Sequence, residues 1–160
     1  SDLIQTNSKR TEIVDLYKPA LEKRGDIDRG RVVFEQACIT CHSRGSSGST
    51  QLGPDLATVI EHEPDKLLVN ILDPSRDIQP GYQAYYCQLK TGEQLFGLLA
   101  SETASGIVIR QIDGSERSVL RSDIESLRNA NISLMPEGLE NAMSPDAVSD
   151  LIAFLKRAPL

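Results

Sequence analysis

Residues 38–42 read Cys38-Ile39-Thr40-Cys41-His42, and the reading of this stretch decides the fold. Two cysteines three apart followed at once by histidine form the attachment signature of a c-type haem. Each residue type has a chemical duty. The thiols of Cys38 and Cys41 suit addition across the two haem vinyl groups as thioethers. His42, tethered beside the porphyrin by those links, offers an imidazole nitrogen to the iron. The competing reading is half of a zinc site, which needs two further soft ligands. The only other cysteine and histidine are Cys87 and His62, both solitary, so one covalent haem is the expected cofactor.

The totals agree with that expectation. A chain of 160 residues, 39% hydrophobic and 25% charged, describes an ordinary globular protein with one sizeable core, or one core and a small satellite. No apolar run approaches the roughly 18 residues needed to span a bilayer. The chain opens on the polar Ser1-Asp2-Leu3-Ile4-Gln5, without the pattern of a signal peptide. Covalent haem attachment nonetheless implies export. A periplasmic or otherwise extracytoplasmic location is therefore expected, with the export signal outside this sequence. The net charge of −6 argues against nucleic acid as a partner, because phosphates would repel it. It fits a basic or neutral protein partner, and it also serves solubility.

Working outward from the motif, residues 1–10 read as a polar, poorly ordered lead. Thr11 is expected to cap a first helix with Ile13, Leu16, Tyr17, Ala20 and Leu21 on one face, kinked or shortened at Pro19 and ended at Gly25-Asp26. Asp28 is expected to cap a second helix through Gly30, Val33, Phe34 and Ala37 that runs directly into the motif. Residues 43–53 are a Gly/Ser-rich loop. Pro64-Asp65 opens a helix with Leu67, Leu68, Ile71 and Leu72, stopped at Asp73-Pro74. From Tyr82 the helical period gives way to alternation of period two. Tyr85, Cys87 and Leu89 should share one strand face, with Phe96, Leu98 and Ala100 lining the next strand. Ile107-Val108-Ile109 and Arg117-Ser118-Val119-Leu120 flank an Asp113-Gly114 hairpin turn. Four short strands over residues 80–128 predict a small antiparallel barrel or curled sheet. Ser144, Pro145 and Asp146 then start a closing helix with Val148, Leu151, Ile152 and Leu155 inward.

The use of a haem turns on the second axial position. The candidates are Met135, Met143 and His62. Met135 lies in the loop Ser133-Leu134-Met135-Pro136, where proline stiffens the backbone behind a weak thioether ligand. Met143 precedes a helix cap, where apolar residues pack as staples, so core packing suits it better. His62 is flanked by Glu61 and Glu63 and reads as solvent-exposed. Met135 is therefore the expected iron ligand opposite His42. The two are far apart in the chain, but setting residues 80–128 aside leaves a compact excursion, so the sheet reads as an insertion into a helical haem domain.

Asp28-x-Gly30-Arg31-x-x-Phe34, the CITCH motif, Gly53-Pro54-Asp55-Leu56, Met135-Pro136 and Asp150-Leu151-Ile152-Ala153-Phe154-Leu155 together resemble the class I cytochromes c. The fuller pattern of ILDPS at 71–75, Pro80-Gly81-Tyr82, the TGEQLFG strand pair and SLMPEGLE at 133–140 resembles the Pirellula/Verrucomicrobium-type haem-binding domain of planctomycetes and their relatives. The resemblance implies a mainly α fold: a class I cytochrome c helical haem domain with a small antiparallel β-barrel or sheet insertion, α+β overall. It divides the chain into an N-terminal lead and linker helix (1–25), a split cytochrome c domain (26–79 and 129–160) and the inserted β domain (80–128). It also implies roles. Gly30 and Phe34 should cross the last helix near Phe154. Pro54 should offer its carbonyl to the His42 ring, and Leu56, Leu68 and Ile71 should wall the haem. Phe34 belongs to the same haem-side set, and Arg44 is placed either at a haem propionate or in a solvated loop. Cys87 reads as a buried, inert thiol.

The function expected from all this is one-electron transfer rather than enzyme catalysis. His/Met ligation leaves no open site for chemistry and raises the reduction potential. The expected partners are redox proteins: a dehydrogenase donor, fused or separate, and a downstream cytochrome or other acceptor. The alternatives are a haem sensor or enzyme with an open or displaceable sixth site, and a partner-docking role for the β insertion.

Overall fold

The computed structural model describes residues 2–45 and 51–157, so residues 46–50 of the expected Gly/Ser loop lie outside the described part. Four α-helices and five strands follow in the order α1 (Asp2–Tyr17), α2 (Ile27–Ala37), α3 (Pro64–Leu72), β1 (Gln83–Leu89), β2 (Gln94–Glu102), β3 (Gly106–Gln111), β4 (Glu116–Leu120), β5 (Ile124–Ser133) and α4 (Pro145–Leu155). Short 3₁₀ turns join them at Lys18–Glu22, Leu56–Val59, Arg121–Asp123 and Leu139–Asn141.

From Asp2 on, the lead expected over residues 1–10 is helical instead, and Thr11 sits inside α1, where Arg76 Nη2 donates to its hydroxyl at 2.8 Å. The inward face is Val14 and Tyr17, continued by Ala20 in the next turn; Leu16, expected on that face, is 71% exposed. The reason is the helical period: Val14 and Tyr17 lie about one turn apart on one face, and Leu16, two residues beyond Val14, falls on the opposite side of the axis. Pro19 ends the α-helix in a 3₁₀ turn, having no N–H to continue the ladder. The cap of α2 is Asp26 rather than the expected Asp28, its side chain accepting from Arg29 N at 2.9 Å. Asp28 sits in the first turn, where its charge meets the helix dipole. α3 opens on Pro64, and the Ser144–Pro145–Asp146 start of α4 is present, with Ser144 Oγ accepting from Ala147 N at 3.2 Å.

One buried cluster joins Val14, Tyr17, Phe34, Leu67, Leu68, Ile71, Leu72, Met143, Val148, Leu151, Ile152, Phe154 and Leu155, so α1 shares the core of the other helices. At its centre α2 crosses α4 so closely that Gly30 leaves no room for a side chain. A Cβ added at Gly30 would lie 2.0 Å from the Asp150 carbonyl oxygen and 2.8 Å from Phe154 Cβ. The Phe34 and Phe154 rings meet beside the crossing, centroids 5.5 Å apart.

Asp150 bolts the crossing. It is buried, and its carboxylate accepts from Asp26 N (2.7 Å), Arg29 Nε (2.7 Å) and Arg29 Nη2 (3.1 Å). The Arg29 hydrogen bonds hold its carboxyl below the usual carboxylate range, against the opposing effect of burial. A depressed folded-state pKa means that the ionised form stabilises the fold above the ordinary carboxylate range, and that this contribution fades as pH falls through the lowered value. Asp150→Asn is therefore expected to cost about 1–2 kcal/mol near neutrality, reduced by the exposure of Arg29. The gap to wild type should narrow toward pH 2, which melting temperatures measured across that range will show.

The strands form one antiparallel sheet of order β4-β3-β2-β1-β5, open rather than closed into a barrel. Five strands are present where four were expected. The added strand, β5, continues through Ser133, past the expected limit at 128. Its two inward residues, Ile124 and Leu127, are three apart, because a register shift between Gln88 and Leu89 inserts a bulge there. The inward face of β2 also differs from expectation. Leu95 stands opposite Cys87 and belongs with Leu99 to the sheet's own cluster, whereas Phe96 and Leu98 point to the other face and Ala100 is exposed. Both faces of Leu95–Leu99 are apolar, so only the pairing with β1 decides which turns inward. Cys87 is buried in that cluster as a free thiol.

Candidate functional site

The C-terminal end of α2 delivers the motif. His42 N and Cys41 N both donate to the Cys38 carbonyl, at 2.9 and 3.1 Å, so the chain keeps turning through the five residues. Cys38, Cys41 and His42 consequently face one cavity. Burial, with the neighbouring Cys41, pushes the Cys38 thiol up to about 11; burial likewise raises Cys41. Uncharged thioethers at these positions suit an apolar wall. Among the described residues no three His, Cys, Asp or Glu side chains converge in a way that could hold a metal ion.

A second loop fixes the imidazole. His42 Nδ1 lies 2.9 Å from the Pro54 carbonyl oxygen, which can only accept, so Nδ1 carries the proton and the Nε2 lone pair is left for a ligand bond. Burial pushes the His42 pKa down despite that hydrogen bond, favouring the neutral, ligating form. Gly53 N donates to Cys41 O at 2.9 Å and Leu56 N to Ser43 O at 2.8 Å, clamping the loop to the motif. Gly53 lies flat against the ring: a Cβ there would stand 2.2 Å from Cε1 and 2.7 Å from Nε2 of His42.

Met135 lines the same cavity, half-buried against the helical core. Its N–H donates to Ser133 Oγ at 3.1 Å. The chain beyond it is pinned to α1. Arg10 Nη2 donates to Glu140 at 2.8 Å, and Nη1 reaches both Glu140 (3.2 Å) and the Leu72 carbonyl (3.2 Å). Burial tends to raise the Glu140 carboxyl, but Arg10 outweighs it and holds the group below its usual range. The Tyr17 hydroxyl lies 2.8 Å from the Met143 carbonyl oxygen. Met143 itself is buried in the helical core and is not among the cavity's lining residues.

Of the residues expected to wall the site, Pro54, Leu56 and Ile71 line the cavity with the motif and Met135. Phe34 and Leu68 lie in the core behind it and are not among its lining. Arg44, placed by the resemblance at a propionate or in a solvated loop, turns to the C-terminal end of α4 instead. Its Nη2 donates to the carbonyls of Phe154 (3.0 Å) and Arg157, and its guanidinium stacks 4.3 Å from the Phe154 ring centre. Unpaired carbonyls at a helix end attract a cation, which accounts for the choice. His62, expected in solvent, lines the cavity, and its Nδ1 is buried with no hydrogen-bond partner. The sequence reading also missed Leu151 and Leu155, whose i, i+4 spacing marks the inward face of α4, and Tyr82, Ser133 and Ile112, which bring the sheet to the cavity's edge. Leu151 and Leu155 are legible as an inward helix face, Tyr82 and Ser133 stand within the quoted motifs and Ile112 beside the hairpin turn, none of them as cavity lining.

These features fit a haem tethered through Cys38 and Cys41. A proton-poor imidazole nitrogen, a glycine cradle against its ring and a thioether share one largely apolar cavity. Comparison with known families agrees. Residues 25–87 match the family model described as cytochrome c oxidase, cbb3-type, subunit III. The matched stretch begins before α2, contains the motif and α3, and ends within β1, so the Met135 loop and α4 lie beyond it. The match supports a cytochrome c domain, which implies covalently bound haem c, haem-based electron transfer with redox partners, and the extracytoplasmic setting usual for such domains. A search of curated proteins found no match. No helix among the described residues is long and apolar enough to cross a membrane.

Proposed function

We propose that this chain is a one-electron carrier with a single haem c, held by Cys38 and Cys41 and ligated by His42 Nε2 and Met135 Sδ. The observation that carries the reading is that His42 and Met135, so distant in sequence, line one cavity, with the His42 tautomer already selected by Pro54. A haem in that position supplies reversible one-electron chemistry at its iron. The protein's part is to orient and to exclude water. Pro54 raises the basicity of the imidazole by accepting its Nδ1 proton. Arg10 and Tyr17 hold the backbone beyond the methionine, so that a weak sulfur ligand keeps its place. The apolar lining penalises the additional charge of the oxidised state and favours reduction. Were His42 and Met135 both to hold the iron, the protein would leave small ligands no open site there.

The finer likeness to the Pirellula/Verrucomicrobium type, the helical haem domain divided by the sheet, and a dehydrogenase donor passing electrons to a downstream acceptor belong to the same proposal. The haem-side segments are 26–79 and the part after β5. Met135→Ala tests the ligation. The oxidised wild type should show the weak far-red band of sulfur-to-iron charge transfer, absent in the variant. The potential should fall by on the order of 0.1–0.2 V, a fraction of the roughly 0.8 V that axial ligands span. Absence of the band from wild type, or its survival in Met135→Ala, overturns the assignment. Carbon monoxide binding by reduced wild type would favour a displaceable sixth site.

A further inference from the structure

The sheet is fastened to two loops that reach the cavity, one against the His42 ring and one at Met135. Arg110 of β3 donates from Nη1 to the Gln51 carbonyl at 3.0 Å, while its Nε and Nη2 reach Glu116 of β4 at 3.0 and 2.6 Å. One guanidinium thus joins two strands to the loop that carries Gly53 and Pro54. Gln51 sits there at φ +55°, a left-handed backbone that residues other than glycine adopt rarely and only where their surroundings hold them. Its neighbour Leu52 is buried and lines the cavity. At the other loop, Ser133 N at the end of β5 donates to Ser75 Oγ at 3.1 Å, and Ser133 Oγ accepts from Met135 N. Ile112, two residues beyond Arg110 and at the turn into β4, also lines the cavity, yet it is 66% exposed. Its side chain is therefore open to whatever the cavity receives rather than covered by protein.

A ring held between His42 and Met135 turns one edge to the element that is tied to both of their loops, and that element is the sheet. We propose that the β3–β4 hairpin is a wall of the haem site: Ile112 packs on the porphyrin, and Arg110, by holding the Gln51 carbonyl, seats the hairpin there as a positioning residue. The inference rests on the haem reading, and it gives the inserted sheet a part in the redox chemistry. Strand pairing supports the placement. Leu98 stands opposite Arg110 and Ala84 opposite Leu98, and both are buried although neither belongs to the cluster around Cys87. The sheet is thus covered on a second face, the one that Arg110 shares with them. The chemical consequence follows from water exclusion. An isoleucine over the ring removes apolar surface from water, and it raises the cost of the extra charge on oxidised iron, so it favours reduction.

The test uses the haem-loaded protein. Proton NMR of the reduced, diamagnetic form reads the contact directly, because the porphyrin ring current displaces methyl signals that lie against it. The Ile112 δ-methyl signal, identified by its loss in Ile112→Val, should stand outside the ordinary methyl range. Arg110→Met removes the hold on Gln51 with little loss of length and should return that signal toward the ordinary range. Ile112→Ala changes an exposed, uncharged side chain, so its denaturation midpoint should stay near wild type. It should nonetheless lower the reduction equilibrium constant about threefold, about 28 mV at 59 mV per tenfold for a one-electron couple. An Ile112 signal in the ordinary range overturns the proposal, as does an unchanged potential in Ile112→Ala. A displaced signal that survives Arg110→Met overturns the seating role of Arg110. Should the far-red band be missing from wild type, the His/Met reading fails, and the Ile112 signal of the diamagnetic carbon monoxide adduct still decides for or against the wall. A chain that takes up no covalent haem overturns both.

Discussion

Gly30→Ala is expected to destabilise the protein by on the order of 2–4 kcal/mol, although on an isolated helix the same change would stabilise it. Two effects of opposite sign compete. Alanine in a helix interior is favoured over glycine by about 1 kcal/mol. Against this, the new methyl would meet the Asp150 carbonyl oxygen at 2.0 Å and carbon at 2.6 Å, both backbone atoms of a buried helix. No rotamer change relieves a clash with backbone, so α2 and α4 must separate by about an ångström or more. That separation loosens the 5.5 Å contact of Phe34 with Phe154 and stretches the 2.7 Å bond from Asp26 N to Asp150. Overpacking of this kind costs typically 1–3 kcal/mol, and more where hydrogen bonds are carried with it. Chemical denaturation will decide the sign. A variant as stable as wild type would mean that the helices stand further apart than 2.0 Å implies. The haem spectrum is a second readout, because α2 ends in the motif and any tilt moves Cys38 and Cys41.

What could be read in advance follows a physical pattern. Features encoded within one turn or one hairpin were legible: the Pro64 and Ser144–Pro145 helix starts, the turn at Asp113-Gly114, and the motif itself. Features that depend on a distant partner were not. Nothing local says that the polar run is helical from Asp2 on; Arg10 is stabilised by Glu140 and the Leu72 carbonyl, both far along the chain. The strand β5 escaped notice because a bulge in its pairing with β1 spoils the alternation that marks strands. The face of β2 was ambiguous because Leu95–Leu99 is apolar on both sides and only pairing with Cys87 breaks the tie. For the site, the residues of contiguous motifs were named correctly as neighbours, Pro54 and Leu56 with His42 above all. His62 was misjudged because its flanking glutamates suggested solvent, whereas the chain carries the imidazole inward and leaves Glu61 and Glu63 outside. Arg44 was misplaced for a related reason: an arginine near a haem motif suggests an anion, yet the end of α4 offers it carbonyls and an aromatic face.

Gly53→Ala should leave the fold standing and disable the iron site, which separates the roles of the loop and the core. Gly53 does not occupy the left-handed backbone region, so alanine meets no conformational penalty. Its Cβ would instead enter the His42 ring, 2.2 Å from Cε1 and 2.5 Å from Nδ1. One of the two must yield. Gly53 is tied by its own N–H to Cys41 O at 2.9 Å, and moving it pulls on the motif it adjoins. The ring can move only by breaking the 2.9 Å contact of Nδ1 with Pro54, which loses the tautomer selection and, on the proposed ligation, would turn Nε2 away from the iron. On the proposed ligation, either outcome would weaken the bond from His42 to iron while thioether links at Cys38 and Cys41 would keep the haem attached. The expected result is a haem protein of near-normal denaturation midpoint, whose reduced form binds carbon monoxide and whose oxidised spectrum loses low-spin character. Outer-shell changes of this type commonly cost 10- to 100-fold in metal-site affinity or activity, and a direct steric intrusion should lie at or beyond the upper end. Wild-type spectra in Gly53→Ala would show that His42 is not the ligand this loop positions. Gly30→Ala supplies the contrast: it should lower the midpoint first and disturb the spectrum only as the helices part.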